Sequence, residues 1–317
     1  MGCFHIRMMG MKSMWKIKVL IQFILSKMPY GEQLNFRLQQ LNRSFSEEQI
    51  STHIREHLRI LCEIRQHRPL AKAAVVEIGT GWIPCFPILL HLAGVNICHS
   101  FDHIPHLRFR LATVFLECLR KHVPEIANAV DVAESTIYSK LAQLHHCPDL
   151  ESLLSTAHCR YHAPADASVT GLEKNSIDLV ISNAVLEHVP AETIWALTRE
   201  SRRLLRNSGI AYHFIGLHDH YAILSDKLSN VNFLKYPQWL WSLFVLNDIS
   251  YHNRLREKQF LEIFSACGTS VIWLKNKTDS RDILALQGMK IDKSFQHLTL
   301  DELAVHQTEA ILSFPES

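Results

Sequence analysis

The clearest pattern in the chain is a series of short apolar runs, most of them ending at a small or acidic residue. Residues 73–78 form the first, followed at once by Gly79. A run this short, with little polar alternation, reads as a strand buried on both faces, as parallel sheets require. Similar runs follow at 95–101, 160–163, 177–181, 210–215, 270–274 and 310–314. Between them lie stretches with apolar residues at helical spacing, for example Leu107, Leu111, Val114, Phe115 and Cys118. Strands alternating with helices predict an α/β fold, a mostly parallel sheet of seven strands sandwiched by helices.

The ends of this pattern suggest two segments. Residues 1–70 read as a helical N-terminal extension, and residues 71–317 as the sheet domain. Ser46-Glu47-Glu48-Gln49 predicts a capped start for a helix through Ile50, His53, Ile54, His57, Leu58 and Leu61. Two intervals are too long for simple crossovers and are read as insertions, 104–158 (helical) and 217–254 (aromatic). Residues 14–30 are apolar but broken by Lys16, Lys18, Gln22 and Lys27. A crossing helix needs about 20 apolar residues, so this segment does not span a membrane, and no secretory cleavage site follows it. It predicts either a helix docked on the domain through Trp15, Val19, Phe23 and Ile24, or peripheral contact with a membrane surface.

Composition narrows the partners. Lys+Arg is 33 against 31 for Asp+Glu, a net charge of +2, which leaves no basic excess for nucleic acid. The eight cysteines include Cys3 and form no C-x-x-C pair, so free thiols in the cytoplasm are expected. Histidine is abundant at 20, so the charge should rise steeply below about pH 6.5. The oligomeric state is not encoded in any of these features.

The sharpest chemical signal is Val75-Val76-Glu77-Ile78-Gly79-Thr80-Gly81. A buried strand runs into a Gly-x-Gly turn, where glycines let backbone approach a ligand closely. The next strand ends at Asp102, placed to accept hydrogen bonds from the two hydroxyls of a ribose. A dinucleotide fingerprint wants a third glycine where this chain has Pro84, which weakens a nicotinamide reductase reading, and the Gly-Lys-Ser/Thr of a phosphate loop is absent. Glu77 suits a ligand carrying an ammonium and a sulfonium.

With these residues the chain resembles the class I S-adenosylmethionine-dependent methyltransferases, in their small-molecule branch, over about residues 73–275. Glu77, Gly79 and Gly81 match the first motif, which holds the methionine end of the cofactor. Asp102 matches the ribose acid, and Asp166 in Ala165-Asp166-Ala167 matches the residue meeting the adenine amino group. The segment 178–189, with Asn183, matches the fourth-strand motif. The resemblance implies a Rossmann-like fold, S-adenosyl-L-methionine as cofactor and a small or medium acceptor. The family often has glycine where this chain has Ile83, so a modified loop is expected.

For chemistry beyond the cofactor, His218 and His220 follow the fifth strand, and one of them is a candidate base for a hydroxyl acceptor. A metal at His218-Asp219-His220 is not expected, because three adjacent residues do not easily face one ion and no nearby Cys or Glu cluster completes the shell. Glu187 and His188 read as fixing the turn before Pro190. Arg254 and Arg256 read as substrate-binding groups for an anionic acceptor. The aromatic stretch 233–251 reads as a lid. The weak preference is for an O-methyl acceptor on a glycan or lipid-like metabolite. A non-catalytic module that binds the cofactor and acts through a protein partner is the alternative.

Overall fold

The computed structural model describes residues 14–31, 34–35, 46–222, 228–245, 247, 249 and 251–314; Cys3 and the side chain of Trp15 lie outside them. In chain order, α1 (Met14–Ser26) and α2 (Glu47–His67) precede β1 (Ala74–Ile78). Helix α3 (Cys85–Leu92) leads to β2 (Ile97–Phe101). Four helices, α4 (Phe109–Leu119), α5 (Val123–Val130), α6 (Glu134–His145) and α7 (Leu150–Thr156), fill the interval before β3 (Cys159–His162). After β4 (Ile177–Asn183) come α8 (Ala191–Leu204) and β5 (Leu205–Gly216). Helices α9 (Gln238–Phe244) and α10 (Glu257–Ala266) precede β6 (Ser270–Lys277). Helices α11 (Ser280–Gln287) and α12 (Leu300–Ala304) precede β7 (Gln307–Ser313).

The seven strands form one sheet in the order β3-β2-β1-β4-β5-β7-β6. The first five pair in parallel and β7 runs antiparallel to both neighbours. This is the Rossmann-like arrangement expected. The alternation along each strand explains the two layers of helices. Val75, Leu179, Ile181 and Tyr212 face one core with α2–α7, while Val76, Val180, Ala211 and Ile215 face the other with α8 and α10. A strand that feeds two cores has no polar face, hence the continuous apolar runs. Strand β5 begins earlier than its apolar run. Its register against β4 shifts between Ile177 and Leu179, so exposed Arg206, Asn207 and Ser208 belong to the strand although the apolar run starts only at Ile210.

Helix α2 has the anticipated capping box, with Ser46 and Gln49 bonding each other's backbone N–H. Its Ile50, Ile54, Leu58, Leu61 and Ile64 are part of the principal core. Arg59 donates to both oxygens of Glu309 on β7 at 2.8 and 2.9 Å, and Tyr212 donates to the same carboxylate at 2.6 Å. So this stretch of the N-terminal extension is built into the sheet domain. Pro84 stands at the N-cap of α3.

Residues 233–245 of the aromatic stretch form a satellite core. Phe233, Leu234, Trp241 and Val245 pack with Leu286, Phe295 and Leu303 from the segment before β7. Helix α1 docks on it, with the Phe23 ring tilted against that of Phe244 at 5.1 Å and Tyr221 donating to Gln22 at 3.2 Å. Among the described residues no helix is long and apolar enough to cross a membrane.

The histidine content behaves differently from its count. Burial pushes the rings of His53, His57, His91, His99, His188 and His213 down to about 4. These rings stay neutral well below pH 6.5, so the steep rise in charge is displaced towards acid.

Candidate functional site

The site begins where β1 ends. Gly79 and Gly81 both hold positive φ, at 79° and 77°, a conformation costly for residues with a Cβ. The Gly79 N–H donates to Phe101 O at 2.8 Å, which ties the loop to the end of β2. A Cβ on Gly79 would meet Val185 Cγ2 at 2.4 Å, whereas a Cβ on Gly81 would meet nothing within 4 Å. The loop is therefore packed on one side and opens on space on the other.

Two carboxyl groups border this loop. Asp102 accepts from Gly81 N–H at 3.1 Å and from Tyr161 O–H at 2.9 Å, both through Oδ2. Burial raises its pKa to about 6 against those two bonds. Glu77 is 3% exposed and accepts from Ser100 O–H at 2.6 Å. Burial carries its pKa to about 7. No guanidinium or ammonium is bonded to either carboxylate among the described residues. A buried carboxylate without a countercharge beside an open glycine loop fits a cationic ligand, because an ammonium would restore its ordinary acidity.

The other expected cofactor residues come to the same sheet edge. The Ala165 N–H donates to Asp102 O at 2.9 Å, which brings the loop carrying Asp166 beside Asp102. Asp166 itself is exposed and caps its own turn through Ser168 N–H at 2.8 Å. Asn183 ends β4, with its Nδ2 3.4 Å from His57 Nε2. His57 Nδ1 lies 2.7 Å from His53 O, so that nitrogen carries the proton and Nε2 accepts. His57 is a site neighbour that sequence reasoning missed. Its position on α2 marked only a core-facing stripe, and nothing local linked it to β4.

The edge beyond β4 and β5 collects imidazoles. The turn Leu186–His188 presents Glu187, 1% exposed, whose Oε1 accepts from Gly216 N–H at 3.1 Å. A Cβ on Gly216 would approach that oxygen to 2.8 Å, so a side chain there would push the Glu187 carboxyl aside. Burial raises Glu187 to about 7. The ring of His220 stands 4.9 Å from His188, 4.8 Å from His218 and 4.1 Å from His252. Burial, then the neighbouring rings, hold His220 and His252 well below the ordinary imidazole value. Asp219 turns away, accepting from Asn232 Nδ2 at 3.0 Å and Tyr221 N–H at 2.8 Å. Asn253 braces the turn, its side-chain amide donating to the carbonyls of Leu186 and Val189 at 2.8 Å each.

The two arginines expected to bind an anionic acceptor do not face one. Arg256 is fully buried and donates to the carbonyls of Leu217 at 2.6 Å, Leu303 at 3.0 Å and Val305. Arg254 donates to Phe233 O at 3.3 Å, Tyr236 O and Gln238 Oε1 at 2.5 Å each, with its guanidinium over the rings of Trp241 and Phe295. A guanidinium answers many acceptors at once, and here the carbonyls at the ends of the satellite core take that capacity. The lid expectation changes in the same way, since Phe233 and Trp241 are core residues.

Residues 115–213 match the family model described as a methyltransferase domain. The match runs from within α4 into β5 and leaves out the Gly79–Gly81 loop. The strand order, the acids ending β1 and β2 and this match over residues 115–213 all agree with the resemblance to the class I S-adenosylmethionine-dependent methyltransferases, which use S-adenosyl-L-methionine. No protein of curated function matches the sequence. Among solved structures it is similar to geranyl diphosphate C-methyltransferase from Streptomyces coelicolor, at 10% identity and TM-score 0.46, over 86% of this chain and 84% of that one. It is also similar to an S-adenosylmethionine-dependent methyltransferase from Mesorhizobium loti, at 13% identity and TM-score 0.44, over 85% and 98%.

Proposed function

We propose that the protein moves a methyl group from S-adenosyl-L-methionine to a hydroxyl of a small or medium glycan or lipid-like metabolite. Glu77, Gly79, Gly81, Asp102, Asp166 and Asn183 would hold the cofactor, whose sulfonium supplies an electrophilic methyl with a neutral thioether as leaving group. The observation that carries the acceptor reading is the cluster of imidazoles at the carboxyl ends of β4 and β5, where sheets of this kind place their chemistry. A hydroxyl is a poor nucleophile until it loses its proton. In the transfer the O–C bond forms, the C–S bond breaks and the hydroxyl proton passes to a neutral ring. Of the two candidates, His220 is a weakened base between three other rings, so His218 is assigned the proton. Positioning and the exclusion of water by the buried walls supply most of the rate.

The test uses radiolabelled cofactor with lipid and glycan extracts. His218→Ala should lower label transfer by about 100-fold or more with cofactor affinity unchanged. Full transfer in that variant would remove the base assignment.

Peripheral membrane contact is part of this reading. Ile17, Leu20, Ile21 and Ile24 on α1 are each close to half exposed, and Trp239 and Leu243 are exposed on α9, the helix that α1 contacts through Phe23 and Phe244. Lys18 and Lys27 on or just beyond α1 would complement an anionic lipid surface. The protein is expected to float with anionic vesicles, and Ile17→Gln/Ile21→Gln/Ile24→Gln to stay behind. Equal flotation of both proteins refutes the contact. The free thiols of all seven described cysteines support a cytoplasmic setting.

A further inference from the structure

We infer that Glu187, His188 and His220 form a binding site for a divalent transition-metal ion of the zinc type. One ligand atom from each of these three residues lies within 4.8 Å of the other two. Ligands at about 2.0–2.2 Å from an ion stand roughly 3.3–3.6 Å apart, so small side-chain rotations close the set. Two imidazoles and a carboxylate are the donor set such ions take.

Three further observations point to an ion. The first is the set of orphaned atoms. Glu187 Oε2 and His188 Nε2 are buried and have no hydrogen-bond partner. Leaving a buried acceptor without a partner is costly, more so for a charged one, and an ion would satisfy both at once. The second is the orientation of His188. Its Nδ1 lies 3.0 Å from the carbonyl of Tyr251. A carbonyl only accepts, so Nδ1 carries the proton and the lone pair is on Nε2, the orphaned atom. A ring N–H fixed by a carbonyl is the support that metal-bound histidines use. The third is the hold on Glu187, whose other oxygen is fixed by Gly216 N–H at 3.1 Å. Burial also keeps the His188 and His220 rings neutral, the form that ligates.

Three protein ligands leave one position of a four-coordinate ion for an oxygen ligand. At this edge that ligand is the acceptor hydroxyl. This last assignment rests on the methyltransfer reading, whereas the metal site does not. His252, whose ring is 4.1 Å from that of His220, lines the same space.

The test titrates the full-length protein, stripped with chelator, with Co²⁺ as a visible-absorbing substitute and then with Zn²⁺. S-adenosylhomocysteine binding and a melting curve are taken for every variant. One Co²⁺ per chain is expected, with the strong visible bands of four- or five-coordination, displaced by Zn²⁺. His188→Ala and His220→Ala should weaken it on the order of 100-fold. Glu187→Gln, which still accepts from Gly216 N–H, should weaken it while the protein stays folded. His146→Ala, on the exposed surface, should leave it unchanged. Folded protein that binds S-adenosylhomocysteine but no Co²⁺ overturns the site and leaves the methyltransferase reading standing. Equal Co²⁺ binding in all variants also overturns it, because the ion is then elsewhere. Co²⁺ lost on the three substitutions, in protein that does not bind S-adenosylhomocysteine, supports the site and refutes the cofactor reading.

Discussion

Asp102→Ala is expected to weaken S-adenosylmethionine binding by about 100-fold or more, and Glu77→Gln by a similar factor. A hydrogen bond to a charged group contributes about 1.5–3 kcal/mol, and Asp102 is placed to accept two from a ribose. Two such bonds correspond to about two to four orders of magnitude in affinity. Glu77 acts by charge. Its carboxyl has a pKa of about 7 in the free protein, so near neutrality it is half protonated. An ammonium binds the ionised form, so affinity should fall about tenfold per unit as pH drops below 7. Glu77→Gln should remove the part of that slope centred near pH 7 as well as the affinity, leaving the part that Asp102 adds as pH falls through about 6. The sign for folding is the reverse. A carboxyl raised from 4.5 to about 7 favours the folded apoprotein most below pH 4.5, and that contribution is lost as pH rises through 7. Calorimetric titration with S-adenosylmethionine and S-adenosylhomocysteine between pH 5.5 and 7.5 reads both effects. Micromolar binding unchanged in both variants would move the cofactor to other residues.

Arg256→Ala is expected to cost about 3–5 kcal/mol of folding stability, enough to threaten the native state of an ordinary domain. The side chain is fully buried and donates to three carbonyls on two segments, Leu217 after β5, and Leu303 and Val305 at the end of α12 before β7. Burial lowers its pKa only to about 10, so it is charged at neutral pH. Truncation leaves those carbonyls without donors, opens a cavity beside Phe233 and unties the satellite core from the sheet. Arg256→Lys should recover part of the loss, because one ammonium reaches fewer acceptors than a planar fork. Urea unfolding measures it. A cost below about 1 kcal/mol for the alanine variant would mean that water replaces the guanidinium, and the buried-clamp account fails.

Much of the fold could be read from residue order. The strand runs, the Ser46 cap, and the acids ending β1 and β2 all fall where local pattern places them. Each depends on near neighbours. A strand between two cores must be apolar on both faces, and a Gly-x-Gly turn must follow such a strand to bring backbone near a ligand. The wrong or missing assignments all involve partners far along the chain. Arg254 and Arg256 look like anion-binding groups in a polar stretch, and only the return of residues 303–305 turns Arg256 inward. His57 looks like any residue on an apolar stripe until β4 ends beside it.

The clearest case is the imidazole edge. Near His218-Asp219-His220 the sequence offers no acid to complete an ion's shell, and Asp219 faces Asn232. Parallel pairing of β4 with β5, Asn183 opposite Phe214, delivers Glu187 and His188 to His220 instead. The sequence by itself determined the strands, the glycine turn after β1 and the acids ending β1 and β2, because burial periodicity and glycine conformation are local properties. Only the tertiary structure decided which buried polar groups meet beyond β4 and β5, because strand register sets those contacts and no local pattern encodes it.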